Sequence, residues 1–370
     1  MRHIPLSGPD ITEREIAAVT AVLRTPRLSM GPEVEAFEKR LAQRVGVAQA
    51  VAVNSGTSAL HLAMLAAGIG PGDEVVTSPF SFVASANSIL FVGAKPVFVD
   101  IEPATLDMDA GRVEAAITER TKALLAVHVF GLPCDMTAVM AIARRRKLTV
   151  IEDACESLGA AWGGRAAGAF GQSAAFGFYP NKQITTGEGG ALVTDDAAVA
   201  AVARSLRNQG RGPHGYWLAH QRIGYNYRLD ELSAALGRVQ LERLDEILAR
   251  RAAVAEWYRT RLAAVPGVET LRDVPGATRS WFVFVVRLAE TADRDAVMAA
   301  LRAEGVECQA YFPPIHLQPP YVERFGFRPG AFPLTEEASR RMLALPFRTG
   351  MPEEDVAYVC ERLATALGAA

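Results

Sequence analysis

Between residues 50 and 195 the chain repeats one pattern: a short apolar run, a turn, then a helix-length segment with one apolar face. The runs are EVVTS (74–78), PVFVD (96–100), ALLAVHV (123–129), LTVIED (148–153) and AAFGFY (174–179). They are nearly continuous in hydrophobicity rather than alternating, as strands buried on both faces must be. From Thr57 to Ala67, Leu60, Ala63, Met64 and Ala67 share one helical face, and Gly68 stops the helix. Asp135 caps a second helix that runs to Lys147. This β–α alternation predicts an α/β fold with a mostly parallel central sheet flanked by helices.

The pattern then changes. A long helix starts at Asp230 with Leu232, Leu236 and Val239 on one stripe. After about residue 250 come a strand at WFVFVVRL (281–288), a helix over 293–304, a Pro-rich loop FPPIHLQPP (312–320) and two terminal helices. We expect a large domain over 1–250 and a smaller C-terminal α+β domain over 251–370.

Composition removes several function classes. With 39 Lys+Arg against 41 Asp+Glu, the formal charge is −2, so the chain carries no general basic field for nucleic acid. The one basic run, Arg144 to Lys147, falls at a helix end, where cations complement the dipole. No apolar run approaches the roughly 18 residues of a membrane span. The opening MRHIPLSGPD has no signal-peptide core, which leads us to expect a cytoplasmic protein. Cys134, Cys155, Cys308 and Cys360 have neither CxxC nor Cys/His spacing, so we expect no metal site and no disulfide framework.

Three places carry chemistry. Asn54-Ser55-Gly56-Thr57-Ser58 joins an apolar VAV (51–53) to the helix from Thr57. Small residues at a helix N-terminus let an anion approach free N–H groups, and the Thr57 and Ser58 hydroxyls add donors. Taken alone, the segment is equally a plain Ser/Gly cap. Asp153 ends the strand LTVI, at the edge of a parallel sheet where ligands bind. A carboxylate there can grip a protonated ring nitrogen, as a pyridoxal cofactor requires, or simply cap the next helix. Lys182 lies in FGFYPNKQITTGEGG, after a strand and before a Gly-rich turn; a lysine beside a carbonyl cofactor forms a Schiff base, whereas most loop lysines are merely solvated. Asp153 and Lys182 are one strand–loop–strand unit apart, so one crevice can receive both.

The chain resembles the DegT/StrS-type nucleotide-sugar aminotransferases, a branch of the fold-type I pyridoxal-phosphate enzymes. The resemblance runs through NSGTSALHLA (54–63), GPGDEVVTSPFSFVASANSI (70–89), GAKPVFVDI (93–101), IEDACESLGA (151–160), FYPNKQITTGEGG (178–190), GYNYRLDELSAA (224–235) and YFPPIHLQPPY (311–321). It implies that Lys182 holds pyridoxal 5′-phosphate as an internal aldimine and later moves the substrate proton, and that Asp153 pairs with the pyridinium nitrogen. Glu156 stands where many relatives have Gln, facing the cofactor's 3-oxygen. Gly56 and Thr57 would hold the phosphate, Phe82 would stack on the ring, and Asn226 would reach the neighbouring subunit's phosphate, which implies a homodimer. Gly177 departs from the family pattern, since many relatives have a phosphate-binding Ser there; Ser58 is the expected substitute.

The implied reaction moves the amino group of L-glutamate to a keto-sugar nucleotide, most similar to members acting on 4-keto-6-deoxy sugars, for amino-sugar or polysaccharide biosynthesis. Arg27, Ser29, Tyr311 and His316 are the candidates for lining the sugar pocket, although His316 has the alternative of a loop histidine bonded to backbone. Rival readings are a fold-type I lyase or sugar dehydratase, an aminotransferase of ordinary keto acids, and a cofactor-binding regulator. Related dehydratases have His at the position of Lys182, and no arginine clamp for a keto-acid carboxylate is identifiable.

Overall fold

The computed structural model describes residues 2–212 and 219–368. Two helices, α1 (Glu13–Leu23) and α2 (Pro32–Val45), lead into the alternating region. There follow β1 (Gln49–Val53), α3 (Gly56–Ala66), β2 (Glu74–Thr77), α4 (Ala84–Phe91), β3 (Lys95–Phe98), α5 (Ala110–Ala116), β4 (Thr121–Val127), α6 (Met136–Arg146) and β5 (Thr149–Asp153). Two short strands, β6 (Ala161–Trp162) and β7 (Arg165–Ala166), precede β8 (Ser173–Gly177), β9 (Gly190–Thr194) and α7 (Ala197–Arg207). Among the described residues the main sheet has seven strands in the order β1-β9-β8-β5-β4-β2-β3. Neighbours run parallel except at β9, which is antiparallel to β1 and β8. The apolar runs are these strands, and Asp135 caps α6 by accepting from the Ala138 N–H at 2.9 Å.

The rest of the chain is α8 (Glu231–Glu242), α9 (Leu244–Leu262), β10 (Val268–Thr270), β11 (Ala277–Thr278), β12 (Phe284–Leu288), α10 (Arg294–Ala303), α11 (Pro319–Phe325), α12 (Pro333–Arg341), β13 (Met342–Leu345) and α13 (Glu353–Ala366). Strands β10, β12 and β13 form a separate three-stranded sheet. The change of core falls inside α9. Leu244 and Ile247 pack with α2 and β8, while Val254, Ala255, Tyr258 and Leu262 pack with β12, β13, α10 and α13. Ile4 joins the second core and bridges to Val306.

Four local expectations need correction. The strand expected at 281–288 begins only at Phe284, because Ser280 donates its N–H across to the Gly131 carbonyl and Trp281 is left-handed (φ 44°). The loop expected at 312–320 contains a single turn at Ile315–Leu317 and the start of α11, whose prolines suit a first helical turn. Strand β13 separates the two terminal helices and has no turn residue before it. On α8, Leu232 and Leu236 are only half-buried; Ala234, Ala235, Gly237 and Val239 face inward. A Cβ at Gly237 would lie 2.7 Å from the Phe37 ring, so small residues let α8 press against α2.

Candidate active site

Strands β1, β2, β4, β5 and β8 end on one edge of the main sheet, and β9 starts there. Asp153, Lys182 and the N-terminus of α3 all lie at that edge. Asp153 is the last residue of β5, buried at 6% exposure. Its Oδ1 accepts the Cys155 N–H at 3.2 Å and its Oδ2 accepts the Ser85 hydroxyl at 2.6 Å. Lys182 follows β8 and is fixed by its N–H donating to the Tyr179 carbonyl. Its Nζ lies 3.7 Å from Glu156 Oε1 and 3.9 Å from the centroid of the Phe282 ring.

Glu156 is buried, and its Oε2 accepts the Phe130 N–H at 2.9 Å. Burial pushes its carboxyl above the usual range, while the neighbouring Lys182 ammonium opposes that rise. Phe130 is itself left-handed (φ 52°), a conformation that costs free energy and needs support. That support comes from Glu156, from Arg279 Nη1 donating to the Phe130 carbonyl at 3.2 Å, and from stacking on Phe312 at 5.2 Å. Tyr311 stacks on Phe312 at 4.9 Å, and burial, reinforced by the nearby Glu156 carboxylate, pushes its hydroxyl up.

Helix α3 brings its N-terminus to the same edge. Ser55 is the N-cap, its Oγ accepting the Ser58 N–H at 3.0 Å. The packing explains the glycine beside it: a Cβ at Gly56 would meet Cys155 Sγ at 2.8 Å and Gly177 Cα at 3.2 Å. Gly56 therefore lets α3 abut β8, whereas a Cβ at Gly177 would make only ordinary contacts of 3.5 Å or more. With the Ser58 N–H held by the cap, the Gly56 and Thr57 N–H groups at the start of α3 remain for an anion. The Ser58 hydroxyl is spent inside the cap, donating to Asn54 Oδ1 at 2.7 Å, which weakens it as the substitute for a serine at 177.

The other expected residues are placed as follows. Phe82, 60% exposed, lies just before α4, with its carbonyl accepting the Ser85 N–H. Asn226 is exposed, bridges to Asn208, and its carbonyl accepts from Asn54 Nδ2 at 3.4 Å, so it neighbours the α3 cap. Arg27 and Ser29 are exposed on a loop tied to the start of α8, where Ser29 bridges to Asp230. His316 does not line an open crevice. It is fully buried, with Nε2 3.1 Å from Glu336 Oε1 and its ring against Phe332, and burial lowers its pKa. It is a core histidine, because Glu336 also accepts the N–H groups of Gly330 and Phe332 and closes that loop.

Sequence reading missed Ser81, Ser85 and Phe282. Ser81 and Ser85 carried a faint signal, a pair of hydroxyls four apart after β2, whereas Phe282 becomes a neighbour of Lys182 only through the fold.

The arrangement suits pyridoxal 5′-phosphate. Its carbonyl, ring nitrogen and phosphate have a lysine amine, a buried carboxylate and a helix N-terminus to meet, all on one sheet edge.

Comparison with known proteins agrees. The family model described as the DegT/DnrJ/EryC1/StrS aminotransferase family matches residues 9–364. The chain is 43% identical over 366 residues to a GDP-perosamine synthase of Caulobacter vibrioides, covering 98% of this chain and 97% of that one. It is 40% identical over 371 residues to the spore coat polysaccharide biosynthesis protein SpsC of Bacillus subtilis, covering 97% and 95%. The crystal structure of S. venezuelae DesV in complex with a ketimine intermediate superposes with a TM-score of 0.93 at 36% identity, covering 99% and 98%. No helix among the described residues is long and apolar enough to cross a membrane. The chain is a pyridoxal-phosphate-dependent enzyme and belongs to the DegT/DnrJ/EryC1/StrS aminotransferase family.

Proposed function

We propose that this sugar aminotransferase takes its amino group from L-glutamate and gives it to a keto-sugar nucleotide, a 4-keto-6-deoxy sugar, in the cytoplasm. The observation that carries the reading is the convergence of Lys182, Asp153 and the α3 N-terminus on one sheet edge. The identity to a GDP-perosamine synthase supports the sugar class.

Pyridoxal 5′-phosphate, when bound, supplies the electron sink that stabilises a carbanion beside nitrogen. The chain's residues do the rest. Lys182 holds the cofactor and then moves the proton at the carbon that bears the amino group, first on glutamate and afterwards on the sugar. One positioned acid–base group of this kind contributes roughly 10²–10⁴-fold. Asp153 holds the ring nitrogen protonated. Glu156 faces the 3-oxygen, Phe82 covers the ring, and Gly56, Thr57 and the first N–H groups of α3 take the phosphate. Arg27, Ser29 and Tyr311 face the sugar nucleotide. The cofactor-holding domain spans 1–250 and the smaller one 251–370, a division supported by the change of core within α9, with Ile4 at the N-terminus packed into the core of the smaller domain.

Asn226 completes a second copy's phosphate site, which makes the working unit a homodimer. The exposure of Asn226 and of its neighbour Ile223, at 92%, supports a partner surface here. Asn226→Ala should then weaken cofactor binding; unchanged affinity removes the cross-subunit contact.

The test of the reaction is the visible absorption of the holoenzyme with L-glutamate, then with candidate keto-sugar nucleotides. Loss of the band with glutamate and its return with a 4-keto-6-deoxy sugar nucleotide is the expected result. A band indifferent to glutamate rules out the donor.

A further inference from the structure

We propose that Ser85, backed by Ser81, is a positioning residue for Asp153, fixing how that carboxylate meets the cofactor's ring nitrogen. The inference rests on the role given to Asp153 above. Ser85 Oγ lies 2.6 Å from Asp153 Oδ2, and Ser81 Oγ lies 2.7 Å from Ser85 Oγ. The direction of the chain follows from the chemistry. An ionised carboxylate only accepts, so the Ser85 proton points at Asp153. The Ser85 oxygen is then free to accept, and Ser81 is the donor behind it. The two hydroxyl dipoles align toward one oxygen.

Both serines are nearly closed to solvent, at 4% for Ser81 and 1% for Ser85. Water therefore does not compete, and aligned bonds in such surroundings reinforce one another. The serines stand on a different element from their target. Ser81 and Ser85 belong to the turn and first residues of α4, beyond β2, whereas Asp153 ends β5. The opposite oxygen, Oδ1, is held by the Cys155 N–H from its own segment. The carboxylate is thus gripped from two sides and cannot rotate about its last bond. That leaves one set of lone pairs presented to the crevice. The Ser88 hydroxyl, donating to the Ser85 carbonyl at 2.8 Å, holds the turn but does not touch Asp153, and serves as a control.

The experiment compares Ser85→Ala, Ser85→Thr, Ser81→Ala, Ser88→Ala and Asp153→Asn holoenzymes. It reads the pH midpoint of the visible absorption of the bound cofactor, kcat, KM and the melting temperature. Ser85→Ala should shift the spectral midpoint and lower kcat about ten- to a hundredfold with little change in KM, the size expected for one hydrogen bond to a charged group. Ser85→Thr, which keeps the hydroxyl, should restore both, and Ser81→Ala should shift the midpoint less, in the same direction. Ser88→Ala should move the melting temperature without the midpoint. If Ser85→Ala changes only the melting temperature, the proposal is overturned. If Asp153→Asn alters the spectrum and Ser85→Ala does not, this inference alone fails. If neither does, the role of Asp153 fails and this inference falls with it. Should Ser85→Ala not fold, the isosteric pair Ser85→Thr and Ser85→Val carries the same comparison.

Discussion

Lys182 Nζ and Glu156 Oε1 lie 3.7 Å apart, with only 15% and 10% of their side chains exposed. Glu156 therefore has a cation to oppose its burial, yet burial prevails and its carboxyl titrates above the usual range. The sign for stability follows. A group whose folded-state pKa is raised contributes fully below its unfolded pKa, and that contribution is lost as pH rises through the folded value. Glu156→Gln cannot ionise, so the stability of the apoprotein variant relative to the wild type should grow between pH 4.5 and neutrality. Urea melts at several pH values measure it. A pH-independent difference would show that the Lys182 pairing cancels the burial.

Replacing Lys182 itself should separate chemistry from folding. Lys182→Ala removes one side chain that packs on Phe282 after β8, and the melting temperature should fall far less than turnover. Turnover should fall by at least roughly 10²-fold, the share of a single acid–base group. The spectrum of added cofactor should also change. Turnover near the wild-type level would remove Lys182 from the chemistry.

The central glycines make a steric prediction. Gly56→Ala drives a methyl to 2.8 Å from Cys155 Sγ and 3.2 Å from Gly177 Cα. Overpacking of this kind costs about 1–3 kcal/mol and should push α3 off β8, loosening the phosphate. Adding Cys155→Ala removes the nearer clash but not the one with Gly177. The double variant should recover part of the melting temperature and part of the cofactor affinity; no recovery would place the strain at Gly177.

These residues also show what the sequence made legible. The strands announced themselves because a strand buried on both faces has to be continuously apolar, and Asp153 was readable because β5 ends on it. Lys182 was readable from its local string. His316 was not, since its burial depends on Glu336 and Phe332, which arrive from a later segment. The stripe on α8 misled for a related reason. A helix usually buries its leucines, but here Gly237 and Ala234 face α2, because close approach of the two backbones favours small residues over large ones. Ser85, Phe282 and Arg251 gain their roles only by meeting partners from distant segments.

Arg251 illustrates the last point. It is 2% exposed, with no carboxylate at hydrogen-bond distance among the described residues; Nε donates to the Trp281 carbonyl at 2.8 Å and Nη2 to the Phe282 carbonyl at 2.7 Å. Burial holds its pKa down to about 10. The guanidinium thereby pins the segment that sets the Phe282 ring against Lys182. Arg251→Leu should cost about 3 kcal/mol by orphaning buried carbonyls. It should also weaken cofactor retention, which a volume-filling role alone does not explain. Denaturant melts and cofactor dissociation rates give the two numbers.

Glu231 connects the fold to the substrate side. Gly31, the N-cap of α2, has no side chain to satisfy the first N–H groups, and Glu231 does so from α8. Its Oε1 accepts from Gly31 at 2.9 Å and Val34 at 3.1 Å, and its Oε2 from Glu33 at 2.9 Å. A carboxylate at a helix N-terminus also meets the positive end of the dipole. The bond to Gly31 fixes the end of the loop that carries Arg27 and Ser29. Glu231→Ala should therefore cost about 1–2 kcal/mol, the upper range for a lost cap. Because the loop would then be ordered only on binding, KM for the sugar nucleotide should rise several-fold while kcat and KM for glutamate stay near the wild type. Steady-state kinetics with each substrate varied in turn separates these effects. An equal rise in both KM values would mean that Glu231 supports the whole site rather than the 27–31 loop.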